Sequence, residues 1–145
     1  MQPYSPADKD ALLSIFLLNT PRYFDPEEIH DFEDYLTHHS ETYFTILHEG
    51  RIVGGAGYYI NHTDNSGRIT WIFFHPNASG HGLGKKAVEF FFQLFKSAPS
   101  VEKLVVSTSQ LAYQFFEKMG YTLISTEKDH WGPGLDLYLM ERSNI

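Results

Sequence analysis

The sequence predicts an α/β fold: a mixed, mostly antiparallel central sheet of about six to seven strands flanked by helices, in the order ααβββαβαββ. Three observations carry this expectation. Two amphipathic helical segments open the chain. Three extended runs joined by short polar turns follow, as hairpins do. Strand–helix–strand crossovers then occur twice, which hairpins alone cannot produce.

The elements follow from local chemistry. Ser5-Pro6-Ala7-Asp8 sets an N-cap, a proline at the first helical position and an acid at the third, ahead of Leu12, Leu13, Ile15 and Phe16. Asp25-Pro26-Glu27-Glu28 repeats the signal, and Ile29, Phe32 and Leu36 fall on one face of a second helix. Between them Asn19-Thr20-Pro21-Arg22-Tyr23-Phe24 is a short loop with two rings, for which packing is the plain reading. Residues 42–47 are β-branched and aromatic, His48-Glu49-Gly50-Arg51 is a turn, and a second strand starts at Ile52. Gly54, Gly55 and Gly57 weaken that strand unless a bulge or a closely approaching group uses the space. After a polar turn, residues 68–75 are apolar on both faces, Ile69, Trp71 and Phe73 on one and Ile72 and Phe74 on the other, which predicts a mid-sheet strand.

Leu83, Ala87, Phe91 and Leu94 then line one helical face and Val88, Phe92 and Phe95 a second, so this helix is expected to be covered from two sides. Residues 103–107 make a strand, and Ser109 caps a helix over residues 110–119 that ends at Gly120. Strands over residues 121–125 and 135–140 close the chain, with a loop over 128–134 between them. No repeat, linker or low-complexity segment interrupts residues 1–145, which read as one domain.

Composition narrows the function. At 42% hydrophobic and 20% charged the chain is globular, and twelve Phe with nine Tyr predict a core built on rings. The absence of cysteine excludes disulfides, thiolate zinc sites and a Cys nucleophile. Met1-Gln2-Pro3-Tyr4 carries no basic leader and no apolar run reaches membrane length, so a cytoplasmic protein is expected. A formal charge of −7 with eleven Lys and Arg argues against nucleic acid and favours a cationic ligand. His38-His39 diverge on a helix and His75 and His81 lack ligand spacing, so no metal is expected.

The most pointed stretch is FFHPNASGHGLGKKAVEF, residues 73–90, with Gly80, Gly82 and Gly84 between an apolar run and a helix. Bare amides at the positive end of a helix dipole suit an anion. The dinucleotide fingerprint started at Gly80 needs glycine where Lys85 stands. The Walker pattern needs glycine and a hydroxyl where Ser79 and Lys86 stand. Both fail, leaving another kind of phosphate turn or a structural loop whose glycines supply positive φ.

With its element order, the chain resembles the GNAT superfamily of N-acetyltransferases over nearly its whole length. Phe74-His75-Pro76 is similar to the family's strand-end V-x-P, and residues 79–84 keep both required glycines of its pyrophosphate loop. The block from Ser109 through Ala112 to Phe116-Glu117-Lys118-Met119-Gly120-Tyr121 is similar to N-x-x-A-x-x-x-Y-E-K-x-G-F/Y. The resemblance implies acetyl-CoA as donor, with pantetheine along Ile72, Phe73 and Phe74 like an added strand. It implies pyrophosphate on the loop of Ser79, Gly80, His81, Gly82, Leu83, Gly84 and Lys85. Lys85 and Lys86 can add charge there, although Lys86 reads equally as a solvated first-turn lysine. The Phe74 N–H is the implied oxyanion donor, Phe116 is implied beside the cofactor, and an acceptor pocket is implied at Tyr23, Phe24, the second helix and Trp131.

The pattern also breaks. Phe116 stands where the family's proton-donating tyrosine would be, leaving Tyr113 or Ser109 as candidates whose plain roles are packing and capping. Thr70 or Trp71 stands where the family places a glutamate base, leaving His75, with Asp136 and Glu33 as poorer choices. Ser79 replaces Arg or Gln. The resemblance implies transfer of acetyl to a primary amine by direct attack, the acceptor being a small amine or a protein amino group. A non-catalytic CoA-binding sensor is the alternative, and an α/β domain with purely structural glycines a third reading. The family often forms homodimers through its later strands.

Overall fold

The computed structural model describes residues 1–145 apart from Ser79 and Gly80. Its elements are β1 (Gln2–Pro3), α1 (Lys9–Leu18), α2 (Glu28–His38), β2 (Tyr43–His48), β3 (Arg51–Asn61), β4 (Ser66–Phe74), α3 (Leu83–Lys96), β5 (Lys103–Thr108), α4 (Tyr113–Lys118), β6 (Thr122–Gly132) and β7 (Leu135–Ser143). Short 3₁₀ turns stand at Pro6–Asp8, Ser40–Thr42 and Pro76–Ala78. The strands pair in the order β1-β2-β3-β4-β5-β7-β6, a seven-stranded sheet with β4 at its middle, as two apolar faces require. The β4–β5 pair is parallel, from Ser66↔Lys103 to Ile69↔Val106, whereas β1–β2, β2–β3, β5–β7 and β6–β7 are antiparallel. The predicted class is therefore observed.

The predicted order ααβββαβαββ gains one strand at its start. β1 pairs Gln2 with Thr45 and Pro3 with Phe44, and Tyr4 N donates to Tyr43 O at 2.9 Å. Two residues carry no periodicity to read, and proline is tolerated at a sheet edge. Among the described residues no helix is long and apolar enough to cross a membrane.

The chain divides into two compact units, one of Met1–Gly57 and Trp71–Ala87, the other of Tyr58–Thr70 and Val88–Ile145. In the first, Ser5 and Asp8 form the reciprocal capping box, with Ser5 N donating to Asp8 Oδ2 at 3.2 Å; the opening turn is 3₁₀ and α1 follows. Asp25 Oδ2 accepts from Glu27 N at 3.1 Å and Glu28 Oε2 from Asp25 N at 2.9 Å, the same reciprocity ahead of α2. Between β2 and β3, Glu49 and Gly50 both have positive φ, 52° and 78°, which a two-residue primed turn demands.

The core of this unit is aromatic, as the composition predicts. Phe16, Phe32, Tyr43 and Phe73 are buried with Leu12, Ile15 and Leu36. Phe16 stacks on Phe32 at 5.2 Å, and Phe73 meets both edge-on at 5.6 and 5.2 Å, geometries worth about 0.5–1.5 kcal/mol each beyond burial. Trp71 packs on the same rings as Phe73, so their predicted common face holds. Its backbone, however, sits at φ 47°, an irregularity that no periodicity signals. Tyr43 explains part of it: its buried hydroxyl donates to Trp71 O at 2.8 Å. Gly55 and Gly57 of β3 make room for that tyrosine. A Cβ at Gly55 would run into the Tyr43 hydroxyl, and one at Gly57 would lie 2.7 Å from Tyr43 Cδ1 and 2.8 Å from Tyr35 Oη. The closely approaching group expected at these glycines is thus a ring.

In the second unit, Val88, Phe91 and Phe95 of α3 are buried, as are Leu104, Val105 and Val106 of β5, Phe116 and Tyr121, and Leu135 and Met140 of β7. A Cβ at Gly67 would stand 2.6 Å from the Phe95 ring. Three expectations need correction. α3 buries one broad face instead of two: Phe92 is half-open with the Arg142 guanidinium 4.3 Å over its ring, and Phe90 is exposed. α4 starts at Tyr113, not residue 110, because the preceding backbone makes tight turns on Ser109 O, which accepts from Ala112 N and Tyr113 N. The loop predicted over 128–134 is largely strand: β6 runs to Gly132 with its register to β7 irregular between Glu127 and Gly132 and Asp129 at φ 55°. β6 is exposed from Thr122 to His130, so no alternation of burial existed to be read.

Burial holds the Tyr43 phenol well above its ordinary range, with Tyr35 and Tyr4 pushing the same way. Such a group stabilises the fold fully below the unfolded pKa near 10 and loses that contribution as pH rises through the folded value. Tyr43→Phe is expected to cost about 1–2 kcal/mol near neutral pH by orphaning Trp71 O. It is also expected to lose less stability than the parent chain above a pH of about 10. Urea melts across that range check both signs.

Candidate active site

The end of β4 in the first unit is built from the backbone outward. Phe73 O lies against Gly54 of β3, where a Cβ would clash with it, so glycine lets the two strands close. A trans peptide opposes its N–H to its C=O, hence the Phe74 N–H points away from β3. One peptide later, His75 N donates to Val53 O at 2.6 Å, and Phe74 O accepts from Asn19 Nδ2 at 3.0 Å. Ile72 and Phe74 are half-buried, whereas the Phe73 ring is core.

His75 is half-buried, and its Nδ1 accepts from Asn77 N at 3.0 Å. The neutral ring therefore carries its proton on Nε2, which makes Nε2 a donor. The chain continues through the Pro76–Ala78 turn. Ser79 and Gly80, both expected to hold pyrophosphate, lie outside the described residues. His81 is exposed beside His48, ring centroids 4.5 Å apart.

Gly82 has φ 67° and open space where a Cβ would stand. Both open readings of the glycines meet here: the turn demands positive φ, and the face it presents is bare. Gly84 instead sits in the first turn of α3. Lys86 N donates to Gly82 O at 3.1 Å, closing the first helical bond. The amides of Leu83, Gly84 and Lys85 therefore precede the helix's own ladder and have no helical carbonyl to satisfy them. This is a cradle fit for a diphosphate, with the exposed Lys85 and Lys86 ammonium groups on the same turn.

Tyr23 and Phe24, the ring pair of the α1–α2 loop, differ in role. Phe24 stacks on Phe16 at 4.5 Å and is half-buried against the core; Tyr23 is exposed with Arg22 over its ring at 5.1 Å. Glu33 pairs with Lys9 at 3.3 Å.

The second unit holds the remaining candidates. Ser109 is buried at the end of β5, its Oγ accepting from Leu111 N at 3.3 Å. Phe116 is 3% exposed and packs edge-on against Phe115 and Tyr121. Tyr113 is half-buried, tilted against Tyr138 at 4.8 Å. Trp131 Nε1 donates to Thr108 O at 3.1 Å, which brings Trp131 to the end of the strand that leads into Ser109. Gln110 adds a clamp, donating to Gly134 O at 2.6 Å and accepting from Asp136 N at 2.9 Å. Asp136 Oδ1 is taken up by Asp129 N at 2.9 Å. Among the described residues no cluster of His, Asp or Glu is arranged to hold a metal ion.

The acetyltransferase (GNAT) family model matches residues 9–121, well over half of the chain. The chain belongs to the GNAT family. It is an acyltransferase of the acetyl-CoA-dependent class, as the motif resemblance implied. No curated protein matches its sequence. Among solved structures it is similar to the ribosomal-protein-alanine N-acetyltransferase of Brucella melitensis, with 19% identity over 98% of each chain and TM-score 0.75. A putative phosphinothricin N-acetyltransferase is similar over 99% of this chain and 97% of its own, with 15% identity and TM-score 0.79. An aminoglycoside 6′-N-acetyltransferase complexed with coenzyme A is similar over 97% and 93%, with 13% identity and TM-score 0.73.

In this GNAT chain the side chains that shape the end of β4 escaped sequence reading. Tyr43 and Asn19 reach it from 28 and 55 residues away, and neither lies in a family motif. The glycines of β3 were the available signal for Tyr43, since a glycine-rich strand implies something pressed against it. The Gly82 turn yields a direct test. Gly82→Ala forces a side chain into the left-handed region, so the fold is expected to lose about 1–2 kcal/mol of stability, read by urea melts.

Proposed function

We propose that this GNAT chain, working as one domain over residues 1–145, transfers acetyl from acetyl-CoA to a primary amine by direct attack. The observation that carries the reading is the cradle at the start of α3, where Gly82 turns the chain and three amides lie ahead of the Lys86 N to Gly82 O bond. Bound there, acetyl-CoA supplies an acetyl thioester. The amine nitrogen bonds to the carbonyl carbon as the carbon–sulfur bond breaks; the amine loses a proton to water and the thiolate gains one.

The residues of this chain then have these roles. The amides from Ser79 to Lys85 hold the pyrophosphate, and the backbone of Ile72, Phe73 and Phe74 runs beside the pantetheine. The Phe74 N–H, turned away from β3, donates to the developing oxyanion, an interaction worth about 10²–10³ in rate when such donors are removed. Phe116 packs beside the cofactor and cannot donate a proton. Tyr113, whose half-buried phenol is more accessible than the Ser109 hydroxyl, supplies the thiolate proton. His75 serves as an Nε2–H donor, since Asn77 N occupies its Nδ1, and water receives the amine proton. Tyr23, Phe24 and Trp131 border the acceptor. The charge of −7 supports a cationic acceptor.

Thiol release from acetyl-CoA tests the reading across spermidine, a peptide with N-terminal alanine, a lysine peptide and kanamycin, a panel that covers small cations and protein amines. Release with one of them supports catalysis; tight CoA binding with none across the panel supports the sensor alternative. Tyr113→Phe is expected to lower kcat about tenfold or more with acetyl-CoA affinity kept. His75→Ala is expected to lower it by less than about tenfold, under the 10²–10⁴ range of a general base. Steady-state kinetics with calorimetry separate the two.

A further inference from the structure

Asn19 sits at the C-terminal end of α1 with 7% of its surface exposed. Its side-chain amide has two protons, and both are used. Nδ2 donates to Ile15 O at 2.9 Å, which closes the last turn of α1, and to Phe74 O at 3.0 Å. Capping the helix needs only the first bond. The second reaches a strand 55 residues away and lands on the carbonyl next to the amide that the proposed function uses.

The peptide joining Phe74 to His75 is thereby held at both ends, its carbonyl by Asn19 and its N–H by Val53 O at 2.6 Å. The preceding peptide is pressed against Gly54 through Phe73 O. Two fixed peptide planes leave the φ and ψ of Phe74 little freedom, and so determine where its N–H points. The backbone of the same asparagine holds the ring loop: Asn19 O accepts from Tyr23 N at 2.8 Å and from Phe24 N at 3.2 Å.

We propose that Asn19 is a positioning residue of the acetyl transfer, its side chain aiming the Phe74 N–H at the thioester oxygen while its backbone carbonyl fixes the acceptor loop at Tyr23 and Phe24. This rests on the proposed function. Asn19→Asp is the informative change, since it keeps the shape and replaces the one nitrogen that carries both donor protons by an oxygen facing two carbonyls. The readout is the backbone amide spectrum during titration with acetyl-CoA and, separately, with CoA, which lacks the acetyl carbonyl.

In the parent chain, Gly82 and Gly84 are expected to shift with both ligands and Phe74 chiefly with acetyl-CoA. In Asn19→Asp the glycine shifts should persist with affinity within about twofold. The acetyl-specific Phe74 shift should fall by half or more, and kcat should drop roughly tenfold, below the 10²–10³ of losing an oxyanion donor outright. A folded Asn19→Asp chain with the full Phe74 shift overturns the positioning role alone, as does a parent chain whose glycines respond while Phe74 does not. Glycines silent in the parent chain overturn the donor site and this inference together. Should Asn19→Asp fail to fold, Asn19→Ala removes the donor without opposing oxygens and is read in the same way.

Discussion

The carbonyls of Trp71 and Phe74 are each gripped by a side chain from a distant part of the sequence, Tyr43 Oη for one and Asn19 Nδ2 for the other. These two bonds span the last residues of the central strand, and the candidate chemistry depends on them. A strand in regular pairing has its amides committed to neighbours. Here the backbone at Trp71 departs into positive φ, and the β4–β5 register runs from Ser66 to Ile69, two residues before it. A departure of this kind costs about 1–3 kcal/mol and persists only where the surroundings over-determine it. A buried hydroxyl bond and a stack of rings provide that determination.

Glycine acts in two distinct ways in this chain. In β3 it is absence of volume that matters: Gly54 admits the Phe73 carbonyl, and Gly55 and Gly57 admit the ring of Tyr43. At Gly82 it is conformation, with open space beside a left-handed backbone. The first kind connects the aromatic core to the strand that carries Phe74. The second leaves the opening amides of α3 ahead of the helix's own hydrogen bonds. Close packing makes the first intolerant of even one methyl group, whereas the second tolerates volume and resists only the torsion.

The departures from the family pattern have a physical reading. Phe116 is buried among Phe115 and Tyr121, where a phenol in its place would need a partner for its hydroxyl. The nearby Tyr121 hydroxyl is itself buried with no partner among the described residues, and burial raises its pKa, so this corner of the second unit has little polar capacity to offer. Proximity of two bound substrates and a fixed backbone donor can supply more rate than a side-chain acid or base.

Local interactions made much of this legible in sequence. The capping box at Ser5 and Asp8, the Glu49-Gly50 turn, the two-faced apolar run of β4 and the glycine loop ahead of α3 depend on residues within a few positions of one another, so their signals survive in linear order. The ring-rich core followed from composition alone. Other features had no such signal. β1 is two residues of edge pairing, β6 is exposed along most of its length, and the turn of Trp71 into positive φ is accompanied by a hydroxyl bond from another strand. Asn19 reads in sequence as a loop residue, and only the folded chain brings its second amide proton to Phe74. Spacing along the chain determined most of the helices and hairpins and that a glycine turn opens α3, because caps, turns and periodicity are short-range. Tertiary structure decided which way the central strand's amides point, because that orientation is set by hydrogen bonds whose partners are neighbours only after folding.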